Sequence, residues 1–471
     1  MYRYESLAGE FEDAIAKGVF PVGARLPSIR QTCARHGVSM ATVMEAYARL
    51  EERGLIEAKA KSGHFVKPPA RASHVLGTSR PKQRPGAVAV ARIAMDVLEA
   101  TGRPGMVPLG AGVPDGRMLP VAELARCQAR AARVHAGLMA RYEQPAGARS
   151  LREAISRHLV DGGCAIGADD IVISNGGQEA LILALSATCS AGDVVAVETP
   201  TYFGVLKALE ALGLRALELP THPRRGVDLD ALEEAARGGG IRACVLMPTF
   251  QNPLGFRMTD PDKRHAVEML ARYGVPLIED DVMGALGLEA PRPLVAKSFD
   301  VTGNVILCGS YSKTVSPALR LGWLAPGRFG EEISRRKFLL NIATGTIPQL
   351  ALADFLKGNR FRRATRAAAR TYARRIQAMR DAVIEHFPQG TTCSTPVGGF
   401  FLWVEMAKQY DAMALYERAL ARGISISPGR LFNQRARGNR NCFRLSCAAI
   451  DDGEIAGAVT TLAKLARSCR D

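Results

Sequence analysis

Lys313 gives the first indication of chemistry in this chain. It follows the apolar run 305–308, within a turn that contains serines. The run predicts a buried strand, so the lysine would stand just beyond a strand end. An amine placed there can form a Schiff base with pyridoxal 5'-phosphate, while Ser310 and Arg320 can bind the phosphate. Taken alone, the motif also fits an exposed lysine in an ordinary turn, so the interpretation depends on the rest of the chain.

Length and composition limit the possible classes of protein. A chain of 471 residues predicts two or three domains. With 47% hydrophobic and 23% charged residues, the composition favours a folded protein over a disordered one. Acidic residues interrupt the first twenty positions, which predicts no signal peptide. The longest apolar run, near 180–189, is too short to cross a bilayer.

Charge and cysteine usage bear on partners and compartment. The net charge of +16 permits a polyanionic partner without establishing one. Ten cysteines occur without a Cys-x-x-Cys pair. This spacing predicts a cytoplasmic protein with free thiols rather than disulfide bonds or a zinc site, and no bound metal.

Residues 1–67 predict one small unit. Three apolar patterns at helical spacing are separated by glycine and proline, and two short apolar runs follow around Ser62 and Gly63. Helix, helix, tight turn, helix and a two-stranded wing is the plan of a winged helix-turn-helix. The residues that define the three helices are Leu7, Phe11 and Ile15, then Ile29 and Cys33, then Val43, Tyr47 and Leu50.

A different pattern follows this unit. Residues 68–92 are basic and proline-containing and predict an extended linker. From residue 93 onward, short apolar runs alternate with helical patterns, which indicates an α/β domain with a parallel sheet covered by helices. Ligands of such sheets collect at the carboxyl ends of the strands. The clearest predicted strands are 171–173, 194–197, 244–247, 276–278 and 305–308.

Residues 1–67 resemble the GntR family of bacterial regulators. The resemblance rests on the runs 23–30, 37–39, 42–43, 46–47, 50–51, 54–56 and 62–66. It implies binding to double-stranded DNA, with the third helix entering the major groove. The predicted DNA-binding residues are Arg30, Ser39, Thr42, Ser62 and Gly63.

Two features of this unit leave alternatives open. Ser39 also fits a simple helix cap, and Thr42 also fits the completion of that first turn. The family often has a basic residue where this chain has Met40, so reading of guanine by an arginine is not expected there. The unit contains ten Lys/Arg and eight Asp/Glu, so we expect dimerisation and the basic linker to add affinity.

Residues 93–471 resemble the class I/II aminotransferases of fold type I, and with the first unit they match the MocR subgroup of the GntR family. The resemblance implies a large subdomain at about 120–330 and a small one at about 340–471, with pyridoxal 5'-phosphate as cofactor. It also implies a homodimer in which Tyr142 reaches the phosphate of the other subunit. The matching motifs are 176–178, 201–204, 251–255, 280–281, 310–313 and 443–446.

The resemblance assigns roles to single residues. Gly177 and Gln178 open a helix that would cradle the phosphate together with Ser310 and Arg320, and Lys313 would carry the cofactor. Its ring would stack on Tyr202, or on the neighbouring Phe203. The other assigned ligands are Asn252 for the ring's 3-oxygen, Asp280 (or Asp281, if the register slips by one) for the pyridinium nitrogen, and Arg444 for a substrate carboxylate.

One position departs from the family. Met283 stands where a tyrosine of the family would donate to the cofactor's 3-oxygen, which argues against fast transaminase turnover. The sequence therefore predicts a transcription regulator that senses pyridoxal phosphate or an amino compound. The alternatives are a working aminotransferase with a DNA-binding module and a repressor whose large domain only dimerises. The basic row Arg362, Arg366, Arg370 and Arg374 fits either a solvated helix face or a DNA-wrapping surface.

Overall fold

The computed structural model describes residues 3–21, 23–52, 55–59, 63–66, 76–81, 84–287, 292–434 and 438–470. The chain divides into two compact units, Met1–His74 and Val75–Asp471. None of the helices in the described ranges combines the length and hydrophobicity that crossing a bilayer requires. All ten cysteines are free thiols.

The first unit is a winged helix-turn-helix, as predicted. Its core joins Leu7 and Phe11 of the first helix to Val43, Tyr47 and Leu50 of the third. The two strands pair antiparallel. The elements are α1 (Arg3–Ala16), α2 (Ile29–His36), α3 (Met40–Glu52), β1 (Ile56–Lys59) and β2 (Gly63–Val66).

Local sequence determines where α2 begins and ends and how α3 is attached to it. Ser28 and Gln31 form a reciprocal capping box at the start of α2. Gly37 ends the helix in the left-handed conformation, with φ 62°, which glycine adopts without a steric penalty. The Tyr47 hydroxyl on α3 donates to the carbonyl of Pro27 at 2.8 Å and so ties the third helix to the entry of the second.

The second unit contains a large eight-stranded sheet and a small four-stranded one. The strand order of the large sheet is β3-β6-β5-β9-β10-β11-β12-β4, and that of the small sheet is β13-β14-β16-β15. The strands are β3 (Gly86–Ala87), β4 (Val172–Ser174), β5 (Val194–Glu198), β6 (Arg215–Leu219), β7 (Thr221–His222), β8 (Gly226–Val227), β9 (Ala243–Leu246), β10 (Leu277–Asp280), β11 (Val305–Ser310), β12 (Gly322–Ala325), β13 (Thr392–Cys393), β14 (Phe401–Glu405), β15 (Ser427–Pro428) and β16 (Cys442–Ser446).

Helices cover both faces of the large sheet. On one face Leu181 of α7 and Leu206 of α8 pack against the sheet, and on the other Leu232 of α9 and Val267 of α10 do so. The helices of this unit are α4 (Ala91–Thr101), α5 (Val121–Val134), α6 (Arg149–Leu159), α7 (Gly177–Thr188), α8 (Phe203–Ala211), α9 (Leu229–Arg237), α10 (Asp260–Arg272), α11 (Gly330–Asn341), α12 (Thr346–Phe355), α13 (Arg360–His386), α14 (Ala412–Leu420) and α15 (Ile455–Arg467).

The predicted parallel sheet is correct at its centre and wrong towards its edges. Strands β6, β5, β9, β10 and β11 pair in parallel, and all five predicted strands belong to this sheet. In contrast, β3 and β12 run antiparallel to their neighbours. A hydrophobic run reports burial on both faces but not strand direction, which the chain connections determine.

Two segments lie at the expected domain boundaries. Residues 68–75, 82 and 83 of the predicted linker lie outside the described residues, but Val88 and Val90 are buried in the core beside the large sheet. Helix α12 packs with α5 and α6 through Leu352 and Phe355. Residues 346–355 therefore pack with helices beside the large sheet.

Candidate functional site

One cavity of about 240 Å³ brings most of the predicted site residues together at the carboxyl ends of the central strands. Lys313 lies there because it follows the end of β11 by three residues. Its Nζ donates to the carbonyl of Gly112. The predicted residues that line this cavity are Gly177, Gln178, Tyr202, Asn252, Asp280, Ser310, Lys313, Arg320 and Arg444.

The electrostatics of the cavity are unusual because cations outnumber carboxylates. Burial lowers the pKa of the Lys313 amine to about 8, and the charges of Arg444 and Arg320 contribute to the decrease. Among the described residues, no carboxylate forms an ion pair with Arg320 or Arg444. Asp280 is the acid that lines the cavity. Such a site favours a ligand that carries negative charge.

One end of the cavity has the features of a phosphate site. Gly177 begins α7, whose first N–H groups lack partners within the helix. A Cβ atom on Gly176 would lie 2.4 Å from an Arg320 nitrogen, so glycine is required for the guanidinium to approach this turn. The Ser310 and Ser312 hydroxyl oxygens lie 3.1 Å apart beside it. Backbone N–H groups, hydroxyls and a guanidinium without an ion-pair partner in the described structure together suit a phosphate.

Asp280 and Asp281 have different environments, which distinguishes the two predicted registers. Asp280 ends β10 and faces the cavity, where burial raises its pKa to about 7. Asp281 instead forms an ion pair with Arg292 beside a separate small cavity. A buried carboxylate with no ion-pair partner in the described structure fits a ligand that presents a cationic ring nitrogen.

Arg444 closes the other end of the cavity. It is fully buried on β16, and burial lowers the pKa of its guanidinium to about 9. It donates to Asn252 Oδ1 at 3.0 Å and to the carbonyl of Gly110 at 2.9 Å, and it lies 4.1 Å from the ring centre of Phe401. Its Nε has no hydrogen-bond partner in the described structure. This group fits a carboxylate of a bound substrate or effector.

Both aromatic candidates, Tyr202 and Phe203, line the cavity. Burial raises the pKa of the Tyr202 hydroxyl to about 12, with the charge of Asp280 adding to the increase. The Tyr202 ring lies directly over Gly204, where a Cβ atom would come within 2.2 Å of it. Gln178 donates from Nε2 to the Gly204 carbonyl at 2.8 Å and holds this turn in place.

Neither Tyr142 nor Met283 supplies a hydroxyl group to the cavity of this chain. Tyr142 is 84% exposed and does not line the cavity of its own chain. Met283 is buried and lines the cavity without supplying a hydroxyl.

The predicted DNA-binding residues lie on the first unit. Arg30 is exposed on the first turn of α2. The Ser39 hydroxyl accepts a hydrogen bond from the Thr42 backbone at 3.2 Å and lies 2.8 Å from the Thr42 hydroxyl, so the two side chains cap α3. Gly63 has φ 102° and lies against Arg25, whereas Ser62 lies outside the described residues.

The basic row on α13 is partly neutralised. Arg362 pairs with Asp161, and Arg374 pairs with Asp452. Arg366 and Arg370 are exposed and have no ion-pair partner in the described part of the chain. The pairing favours the interpretation of this row as a solvated helix face.

Comparison with known proteins identifies both units. The family of bacterial regulatory proteins named gntR matches residues 3–66, and aminotransferase class I and II matches residues 104–462. Two uncharacterized HTH-type transcriptional regulators of Escherichia coli, YjiR and YdcR, are 36% and 37% identical over 95% of this chain and 95% of theirs. The chain belongs to the MocR subgroup of the GntR family.

The second unit of this MocR-type regulator also resembles solved aminotransferases. The structure of LysN, the alpha-aminoadipate aminotransferase of Thermus thermophilus, was determined with N-(5'-phosphopyridoxyl)-L-leucine. It is 28% identical, matches with a TM-score of 0.73 and covers 80% of this chain and 94% of its own. The likeness confirms the predicted fold type I aminotransferase architecture.

Sequence reasoning missed several residues of the regulator that position the cavity. Glu198 and Gln251, both fully buried, hydrogen-bond each other, and Gln251 also donates to the Pro200 carbonyl at 2.8 Å next to Asn252. A Cβ atom on Gly110 would lie 2.9 Å from the Ile426 backbone, so only glycine brings this carbonyl to Arg444. The adjacent Gln251 was visible in the sequence motif, but nothing local to Gly110 indicates its role.

The acidity of Lys313 leads to a testable pH dependence. An ordinary lysine, with a pKa near 10.4, is almost fully protonated at pH 8, whereas a pKa of about 8 leaves half of the amine neutral. We therefore expect the rate at which the cofactor-free protein takes up pyridoxal 5'-phosphate to rise about tenfold per pH unit below 8 and to level off above it. Stopped-flow absorbance measures this rate, with Lys313→Ala as the blank. A rate that keeps rising to pH 10 would contradict the depressed pKa.

Proposed function

We propose that this protein is a transcription regulator whose second unit binds pyridoxal 5'-phosphate at Lys313 and an amino compound at Arg444, and whose first unit binds DNA in response. The cofactor is identified by the aminotransferase family and its solved relatives. The observation that best supports this proposal is that Lys313, Arg320, Arg444 and Asp280 line the same cavity. Because the regulator acts on chromosomal DNA, we place it in the cytoplasm.

Different residues of the cavity would bind different parts of this cofactor. The first turn of α7, Ser310 and Arg320 would bind the phosphate, and Asp280 would hold a proton on the ring nitrogen. Tyr202 would cover one face of the ring, and Asn252 would donate to its 3-oxygen. When bound, the cofactor supplies an electron-accepting ring that stabilises negative charge next to the substrate nitrogen. Lys313, half-buried and partly neutral, would supply the amine that forms or releases the covalent link.

Arg444 would select amino compounds that carry a carboxylate. The guanidinium is held by Asn252 and the Gly110 carbonyl, so its orientation exists before a ligand arrives. Its hydrogen bonds to Asn252 also connect the carboxylate end of the cavity to the residue proposed for the 3-oxygen. Occupation of one end can therefore alter the other.

A working aminotransferase is the second candidate function. It is favoured by the presence of Lys313, Asp280, Asn252 and Arg444 in one cavity. Met283 opposes it, because a thioether cannot donate to the 3-oxygen as the family's tyrosine does. One hydrogen bond to a charged oxygen contributes roughly 1.5–3 kcal/mol. Loss of this hydrogen bond would weaken control of the proton on the cofactor more than cofactor binding, because several other residues would still hold the cofactor.

The regulator is proposed to act as a homodimer. Next to the cavity-bearing sheet, the C-terminal turn of α11 exposes the consecutive apolar residues Phe338, Leu339 and Leu340. Tyr142 is also exposed and would reach the phosphate of the partner subunit. Contiguous exposed apolar residues of this kind mark association surfaces. Each cavity would then be completed by the second copy.

DNA binding tests the regulatory function directly. We expect footprinting on DNA upstream of the protein's own gene to give a protected region whose extent or affinity changes when pyridoxal 5'-phosphate, with or without amino acids, is added. Lys313→Ala should bind the DNA but respond no longer, because it cannot form the covalent link. Identical footprints under all conditions would contradict the regulatory role, and sustained turnover of an amino acid with a keto acid would favour the second candidate.

Arg444 provides a test of ligand class. Replacing it with alanine should weaken the binding of amino acids roughly 10- to 100-fold, since hydrogen bonds to a charged group contribute about 1.5–3 kcal/mol. Binding of the matched amines that lack the carboxylate should change little. Spectral titration of the cofactor-loaded protein measures both. Equal losses for the two ligand series would mean that Arg444 supports the cavity rather than the carboxylate.

The dimer surface can be tested with a matched pair of variants. Leu339 is 68% exposed, and glutamate in its place should convert the dimer to monomer because a charge would be buried at the interface. Val301→Glu is the control, since Val301 is 95% exposed and lies away from this surface in sequence. Sedimentation velocity reports the masses. A monomeric wild-type protein, or a dimer that Leu339→Glu leaves intact, would reject this surface.

A further inference from the structure

The exposed face of α3 is mostly apolar over its first nine residues, with Glu45 as its charged residue. Val43, Ala46 and Tyr47 turn inwards and are fully buried. On the opposite side Met40 and Met44 are 54% and 55% exposed, one helical turn apart. Ala41 and Ala48 are also exposed and extend this face. Two exposed methionines one turn apart, extended by exposed alanines, form a small apolar patch of the kind that marks a contact surface.

This helix lacks the side chains that commonly read purines. Residues 40–48 contain no lysine, arginine, asparagine or glutamine, although these types make the bidentate contacts to guanine and adenine. Thr42 is already engaged with Ser39. Glu45 is exposed, but a carboxylate can only accept a hydrogen bond. Arg49 lies farther along and packs over the Tyr4 ring at 5.2 Å.

The surroundings of the face indicate DNA as its occupant rather than another protein. Arg30 and Arg35 are exposed on α2, and Arg25 is exposed beside the wing residue Gly63. None of the three has an ion-pair partner in the described part of the chain. They give the first unit positive charge that no carboxylate in the described part of the chain neutralises, which suits the phosphates of a duplex. In the major groove, the apolar group that base edges present is the 5-methyl of thymine.

We propose that Met40 and Met44 read the operator by van der Waals contact with thymine 5-methyl groups, so that its sequence is recognised through thymine rather than through guanine. This inference rests on the proposed DNA-binding function and specifies what that function recognises. Methionine suits the task because its flexible thioether adapts to the position of a methyl group. The arginines would then contribute affinity without sequence preference.

The test uses the full-length protein and duplexes enriched from a randomised pool. The enriched duplex is resynthesised with deoxyuridine at each thymine in turn, which removes the 5-methyl group and leaves base pairing unchanged. We expect about a fourfold loss of affinity at each contacted position, the amount for one buried methyl group. At the thymine that Met40 contacts, Met40→Ala should bind the thymine and deoxyuridine duplexes equally well. Met44→Ala should do the same at the thymine that Met44 contacts. Met95→Ala is the control, since Met95 is 58% exposed on the other unit.

The outcomes separate this inference from the function on which it rests. If no duplex is enriched, the DNA-binding function fails. If a duplex is enriched but deoxyuridine is tolerated everywhere, the function stands and thymine reading is overturned. Thymine dependence that persists in both methionine variants also overturns it, because another residue must then contact the methyl groups. Both methionines are exposed and outside the core, so loss of folding does not confound the comparison.

Discussion

The second unit depends on holding three cations, Lys313, Arg320 and Arg444, around one small cavity. A charge removed from water costs several kcal/mol unless it is paired or hydrogen-bonded. Arg444 is fully buried and Lys313 is half-buried, and the carbonyls of Gly110 and Gly112 accept hydrogen bonds from them and offset part of that cost. Arg320 is exposed and donates to the carbonyl of Asn175. With Asp280 as the facing acid, the balance still favours a ligand with negative charge at both ends. Charge is therefore a constraint on which ligands this cavity accepts.

The fold supplies these groups from distant parts of the chain. Strands β10 and β11 are parallel neighbours, with Asp280 opposite Cys308, so Asp280 and Lys313 emerge at the same edge. Arg444 comes instead from the small sheet and reaches Asn252 across 192 residues of sequence. Because the two ends of the ligand would be held by different sheets, a ligand that spans them can bias the arrangement of the whole unit. Such a bias is what a regulator needs, since a ligand shifts an equilibrium only through different affinities for two states.

Many predictions made from local patterns are confirmed. The five apolar runs form strands of the large sheet, because buried parallel strands require apolar side chains on both faces. The winged helix-turn-helix was readable because Ser28 and Gly37 mark the helix ends and the apolar residues recur at helical spacing. Strand direction at the sheet edges and the packing of α12 with α5 were not readable, since neither leaves a local pattern. The same holds for Gly110, whose carbonyl is needed only because Arg444 is folded against it.

The amino-acid order alone thus determined the two units, the strand that precedes Lys313 and the replacement of the family's tyrosine by Met283. Periodicity, caps and motif spacing are short-range properties, so they can be read without a structure. The sequence could not decide which of Asp280 and Asp281 faces the ligand, because the two are adjacent and chemically equivalent. Folding separates them, because Arg292 neutralises Asp281 while Asp280 faces the cavity. Burial then sets the pKa values of Lys313 and Asp280, since desolvation depends on every neighbour that excludes water.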